Sequence, residues 1–177
     1  MVQPSRISII GAVSTGKTEL ARGLAAHYRT CWVPEFARTF LLARGGSCQF
    51  EDMITIGESQ AAEEDRLLPR ANRVLFSDGS PLASCVWSQR YFGGVMPDLL
   101  ELSRTHAYDL YLLTDVDLPW TGDGLRNSEH LRMWLNEESK SALERFRCRY
   151  AIVRGIGVAR LTSPIEVVDK VLNREAS

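Results

Sequence analysis

Gly11-Ala12-Val13-Ser14-Thr15-Gly16-Lys17-Thr18 has the spacing G-x-x-x-x-G-K-S/T, follows the apolar run Ile7-Ser8-Ile9-Ile10 and leads into Glu19-Leu20-Ala21-Arg22-Gly23-Leu24. The context decides the reading more than the string does. A strand ends, a glycine-containing turn wraps an anion, and a helix begins with its N–H groups and positive dipole end aimed at that anion. Lys17 supplies a point charge for the β- and γ-phosphates, and the Thr18 hydroxyl can take a place on Mg²⁺. Gly16 lets the backbone approach closely where a Cβ would obstruct the nest of amides. The expected ligand is a nucleoside triphosphate, held by Gly11, Ser14, Thr15, Gly16, Lys17 and Thr18.

Around that loop, buried parallel strands read as short aliphatic or β-branched runs. Five occur, at residues 7–10, 31–33, 74–76, 110–113 and 150–153. Helical patterns lie between them at 17–28, 36–44, 50–69, 81–91 and 97–105, with two more from about 128 to 146 and from 164 to 173. Pro81, Pro97 and Pro164 fall where a first helical turn tolerates proline, with Ser80 and Ser163 as N-caps. Alternating β and α units predict an α/β, doubly wound, five-stranded parallel sheet of P-loop type, in one domain spanning residues 1–177.

Composition narrows the class further. The chain has 177 residues, a formal net charge of −1 and four scattered cysteines (Cys31, Cys48, Cys85, Cys148). The charge balance argues against nucleic acid or an acidic membrane surface as partner. The cysteine spacing suggests reduced thiols rather than a metal site. No apolar stretch approaches bilayer length and Ser5-Arg6 leads into a strand rather than a signal sequence, so a cytoplasmic location is expected. His27, His106 and His130 have neither triad nor ligand spacing.

Ligands in such sheets sit beyond the carboxyl ends of the strands, so the residues just after each strand matter most. Glu35, after the second strand, would face the phosphate loop as a base for an acceptor hydroxyl, although an acid at a helix N-terminus is favoured in any case. Arg38 lies one turn further on, toward the same cleft. Asp78 ends the apolar run Val74-Leu75-Phe76-Ser77, the Walker-B pattern for orienting Mg²⁺, but Asp78-Gly79 is also a common turn pair. A glycine-containing segment after the fourth strand carries Trp120 and Arg126, and a lid at about 119–132 would close over the phosphates and bring Arg126, with Arg132 as a second candidate, to the transferring group. Trp120 would stack on a base or pack, Trp32 likewise, and Trp87 and Trp134 read as core. Arg154, in Arg154-Gly155-Ile156-Gly157 after the fifth strand, would flank the purine. No guanine-specific N-K-x-D motif stands at a strand end, which favours ATP.

These residues resemble the ribosylnicotinamide kinase domain of the bacterial NAD-biosynthesis regulator and its stand-alone P-loop relatives, from about residue 7 to 172. The matches are the phosphate loop, Glu35-Phe36-Ala37-Arg38 for E-Y/F-A/G-R, Gly57-Glu58-Ser59-Gln60 for a G-x-x-Q helix, the Asp78 block reaching Tyr91 and Gly93, and Pro119-Trp120 with Asp123-Gly124-Leu125-Arg126 for P-W-x-x-D-G-x-R. The resemblance implies transfer of phosphate from MgATP to the 5′-hydroxyl of nicotinamide riboside, giving nicotinamide mononucleotide. Glu35 would then be base or ribose ligand, Asp78 the Mg²⁺ or ribose acid, and Arg126 the lid cation. Two positions depart from the pattern: Asp78-Gly79-Ser80 replaces D-x-D, and Pro34 stands where the regulator carries a tryptophan. Two other outcomes fit the residues: a kinase for another small metabolite, and a regulatory ATPase acting on a protein partner.

Overall fold

A computed structural model describes residues 3–122 and 129–174. Strands β1 (Ser5–Gly11), β2 (Trp32–Val33), β3 (Val74–Asp78), β4 (Leu110–Thr114) and β5 (Tyr150–Val153) form one sheet in the order β2-β3-β1-β4-β5. Every neighbouring pair is parallel, with Ile7 opposite Phe76 on one side and opposite Leu110 on the other. Among the described residues, α-helices connect and cover it: α1 (Lys17–Tyr28), α2 (Phe36–Ala43), α3 (Asp52–Leu67), α4 (Pro81–Phe92), α5 (Pro97–Thr105), α6 (Arg132–Arg145) and α7 (Val158–Arg174).

The central strands are apolar on both sides because both faces are covered. Ile7, Ile9, Phe76, Leu110 and Leu112 pack with Leu24 of α1 and Val168 of α7, while Ile10 and Leu113 pack on the opposite face with Leu82 of α4 and Leu135 and Leu143 of α6. A third cluster, Met53, Ile56, Cys85 and Leu99, fills the space among α3, α4 and α5. Gly57 lets α3 approach α5, since a Cβ there would lie 2.6 Å from Leu99 Cδ1. The chain therefore winds outward from β1 to the β2 edge and back, then across to β4 and β5. That reversal opens a crevice at the carboxyl ends of the strands beside β1.

The expected N-cap at Ser80 is present, its hydroxyl accepting the Ala83 N–H at 3.2 Å with Pro81 in the first turn. The expected start of the last helix at Pro164 is wrong. Helix α7 begins six residues earlier, at Val158, and Pro164 lies inside it. Leu161, Ile165, Val168, Val171 and Leu172 form one apolar stripe against the sheet. That burial carries the helix across a residue that removes one intrahelical hydrogen bond. Trp134 is not core: it is 38% exposed, with the Arg90 guanidinium 5.7 Å from its ring centroid. Trp32 does pack against the α1 side of the core, with Arg22 over its ring. The four cysteines are free, and His106 is buried. Among the described residues, no helix is long and apolar enough to cross a membrane.

Leu112, fully buried in β4 beside β1, gauges this core. Leu112→Ala is expected to cost about 2–5 kcal/mol of unfolding free energy, measured by urea titration with an unchanged m-value.

Candidate active site

The turn after β1 is held in an unusual backbone conformation. Gly11, Ser14 and Gly16 have φ of 140°, 60° and 75°. A Cβ on Gly11 would lie 2.5 Å from Thr114 Oγ1 and 2.8 Å from the Thr114 carbonyl, so only glycine fits between β1 and β4. Thr15 is fully buried, its hydroxyl donating to the Ala12 carbonyl at 2.7 Å and meeting Thr114 Oγ1 at 2.7 Å. Gly16 occupies the N-cap of α1 and has no side chain to cap the first amides of that helix. A helix start without a side-chain cap leaves its N–H groups and dipole for an anion. Lys17 arches back over the turn, its Nζ donating to the Ala12 carbonyl at 2.8 Å. The arrangement fits a polyphosphate.

Two buried arginines brace the same turn from outside. Arg160, in the first turns of α7, donates to the Thr15 carbonyl at 2.6 Å, to Asp117 Oδ1 at 2.6 Å and to the Gly155 carbonyl at 2.9 Å. Arg132, at the start of α6, donates to the Ser14 carbonyl at 3.0 Å and the Leu118 carbonyl at 2.8 Å, beneath Trp120. Arg132 is therefore a brace behind the loop rather than a cation reaching into the cleft. Trp120 is partly buried against it, and Ser14 Oγ accepts the Thr121 N–H at 2.8 Å. The sequence gives no local signal for Arg160, whose partners are remote in the chain. Arg154 is an exposed side chain bound to Asp115 at 2.6 Å. That hydrogen bond is the main cause holding the Asp115 carboxyl below its usual range. Arg126 and its neighbours at 123–128 lie outside the described residues.

Across the crevice, Thr18 Oγ1 donates to Asp78 Oδ2 at 2.5 Å, joining the first turn of α1 to the end of β3. Asp78 is 1% exposed, on the strand adjacent to β1. A hydroxyl and a carboxylate at that separation suit a hard divalent cation bound directly or through water. The described residues contain no cluster of three His, Cys, Asp or Glu side chains that would hold a metal alone. Glu35 stands between β2 and α2 with its Cγ 3.9 Å from where a Cβ on Gly79 would be.

Three cavities meet here. One of about 250 Å³ is lined by residues 13–19, Glu35, Arg38, Thr121 and Gly122. A narrow one of about 30 Å³ is lined by Lys17, Glu35, Gln60, Gly79, Ser80 and Trp87 among others. It shares Ala37, Ile56, Ser84 and Trp87 with the third, of about 440 Å³, which is also lined by Leu41, Met53, Tyr91 and Phe92. Lys17 and Glu35 line both the phosphate-loop cavity and the neck leading to the apolar one. Trp87, expected as core, is partly buried and lines the apolar cavity, its ring stacked on Tyr91 with centroids 5.4 Å apart and planes 9° apart.

Fold and crevice together define a P-loop protein. A family model described as an AAA domain matches residues 6–160. The chain belongs to that family. It is 28% identical over 125 residues to the trifunctional NAD biosynthesis/regulator protein NadR of Escherichia coli, and equally to that of Salmonella typhimurium. The match takes in 68% of this chain but only 30% of each of those proteins. A crystal structure of NadR protein in complex with NR superposes over 96% of this chain and 52% of that one, with a TM-score of 0.78 and 22% identity. Thymidylate kinase from Ehrlichia chaffeensis superposes over 95% and 100% of the two chains, with a TM-score of 0.66 and 12% identity. The resemblance read from the motifs thus holds for the family and for the P-loop kinase fold.

The Arg160 brace predicts a measurable dependence. Arg160→Ala removes donors from a buried carbonyl and a carboxylate and is expected to cost about 1–3 kcal/mol in denaturant unfolding. Loosening the turn should also weaken binding of a fluorescent ATP analogue by roughly tenfold, read by titration.

Proposed function

We propose that the protein is an ATP-dependent phosphotransferase acting on a hydroxyl of a nucleoside-like acceptor, with nicotinamide riboside the first candidate and nicotinamide mononucleotide the product. One observation carries the reading: Lys17 and Glu35 stand at the junction between the phosphate-loop cavity and the neck of an aromatic-lined cavity large enough for a nucleoside base. A hydroxyl entering through that neck would meet a carboxylate and a phosphate-binding lysine at the same point.

In this scheme the amides of the turn and Lys17 bind the β- and γ-phosphates and hold the γ-phosphorus toward the neck. Thr18 and Asp78 would hold Mg²⁺, which when bound neutralises charge on the phosphate oxygens. Glu35 takes the proton of the acceptor hydroxyl as its oxygen bonds to the γ-phosphorus and the bond to the bridging oxygen breaks, releasing ADP. Arg38, exposed on the wall of the phosphate cavity, and Arg126 of the lid segment would stabilise charge on the transferring oxygens. The Trp87–Tyr91 pair gives the acceptor ring a flat face to stack on, in place of the tryptophan that Pro34 replaces. Such faces also attract a cationic pyridinium ring. The presence of NR in a solved NadR complex, and of NAD and AMP-PNP in another, supports the choice of candidate.

A coupled ADP-release assay over a panel of nucleosides tests this directly. Nicotinamide riboside is expected to raise ATP turnover well above the acceptor-free rate, whereas a regulatory ATPase would respond to a protein and not to the panel. Lys17→Ala should abolish turnover. Glu35→Gln should leave nucleotide affinity within about twofold while lowering kcat by roughly 10²–10⁴. Full transfer by Glu35→Gln would remove Glu35 from the mechanism.

Trp87→Ala is expected to raise the KM for the acceptor by about tenfold, the loss of one aromatic contact, without changing the KM for ATP.

A further inference from the structure

We infer that Gln60 of α3 is the positioning residue for Glu35, because its side-chain amide caps the first N–H of α2 and ties that junction to β3. The consequence for transfer rests on the reading of Glu35 as proton acceptor given above; the tie itself can be measured independently.

Glu35 sits at a joint between two short elements, where Phe36, Ala37 and Phe40 pack only half-buried against the third cluster. Strand β2 before it has two residues and lies at the sheet edge, and helix α2 after it has no buried residue. Glu35 is the N-cap of α2 but makes no side-chain cap hydrogen bond. The first amides of a helix need partners from outside it. Gln60 provides one: its Oε1 accepts the Phe36 N–H at 2.9 Å. A neighbouring helix thus does the work a Ser or Asp N-cap would do, and the residue at the N-cap can be one whose carboxylate serves the cleft instead.

The other end of Gln60 is fixed more firmly. Its Nε2 donates to Ser77 Oγ at 2.9 Å, and Ser77 Oγ donates to Glu64 Oε1 at 2.5 Å. Ser77 precedes Asp78 in β3, whose five residues are all buried. Glu64, 1% exposed, also accepts from Tyr108 at 2.9 Å and meets His106 Nε2 at 2.9 Å. Burial pushes the Tyr108 phenol far above its ordinary range, so it remains a donor. Because the Ser77 proton is committed to Glu64, Ser77 can only accept from Gln60. The Gln60 amide therefore has one workable orientation, with its oxygen toward Phe36. Gln60 borders the neck, but at 3% exposure and with both Oε1 and Nε2 engaged it acts through Glu35 rather than on a ligand. A single side chain sets the spacing between the strand end that carries Asp78 and the joint that carries Glu35.

Gln60→Met keeps the length of the side chain and deletes both hydrogen bonds. Native-state hydrogen exchange should show the Phe36 amide exchanging about tenfold or more faster, with the β3 amides unchanged. Nucleotide affinity should stay within about twofold while kcat for acceptor-dependent ADP release falls by about 100-fold, the scale expected for a misplaced catalytic group. In the Glu35→Gln background the same change should lower kcat by less than about threefold, since its effect passes through the carboxylate. Should Gln60→Met not fold, Ser77→Ala removes the far anchor and carries the same expectations for Phe36 exchange and kcat, without the β3 amides as a control. Unchanged Phe36 protection, an unchanged kcat after that protection is lost, or a full 100-fold loss in the Glu35→Gln background would each overturn the inference. If wild-type protein shows no acceptor-dependent turnover, the proposed reaction fails, and Phe36 exchange alone still decides whether Gln60 sets the joint.

Discussion

The buried hydroxyl pair of Thr15 and Thr114, 2.7 Å apart, sits where the rest of the structure converges. It joins the turn after β1 to the end of β4, directly beneath a glycine that no other residue can replace. A loop with several residues at positive φ would not hold its shape through local preference. It holds because its inner face is bonded to β4 and its outer carbonyls, at Ser14 and Thr15, accept from two buried arginines. From within the loop, Thr15, Lys17 and Ser14 add one bond or two each, to Ala12, to Thr114 and to Thr121. The phosphate site is formed by a strand pair and two distant helix starts acting together.

The same division of labour appears across the crevice. Asp78 belongs to the rigid part, a fully buried strand next to β1. Glu35 lies at the sheet's margin, between an edge strand and a helix that packs through half-buried Phe36, Ala37 and Phe40. Thr18 bridges to Asp78 from the loop side, and Gln60 bridges to Phe36 from the α3 side. The two acids are therefore held by different means. One is fixed by the core, the other by a hydrogen-bonded strut.

Much of this was legible in the sequence because it depends on local pattern. The β1–loop–α1 unit, the Ser80 cap and the apolar strands all express short-range rules, and the structure follows them. What was not legible depends on partners far along the chain. Arg160 looks like any helical arginine until α7 brings it under Thr15, 145 residues away. Pro164 reads as a helix start until the apolar stripe of α7 outweighs its missing N–H. Trp134 reads as core by pattern, yet α6 turns it outward beneath Arg90. Trp87 lies between the two cases: its helix was evident, but whether its ring faced a filled core or an open cavity depended on α2, α3 and α4 leaving space beside it.

The proposed reaction rests on one crevice holding a triphosphate at Lys17 and presenting a sugar hydroxyl to Glu35. A crystal structure of the protein with a non-hydrolysable ATP analogue, Mg²⁺ and nicotinamide riboside tests it most directly. The base is expected against Trp87 and Tyr91, and the 5′-hydroxyl within hydrogen-bonding distance of the Glu35 carboxylate and in line with the γ-phosphorus. Riboside density elsewhere, or a Glu35 carboxylate turned away from a hydroxyl bound in the neck, would contradict it.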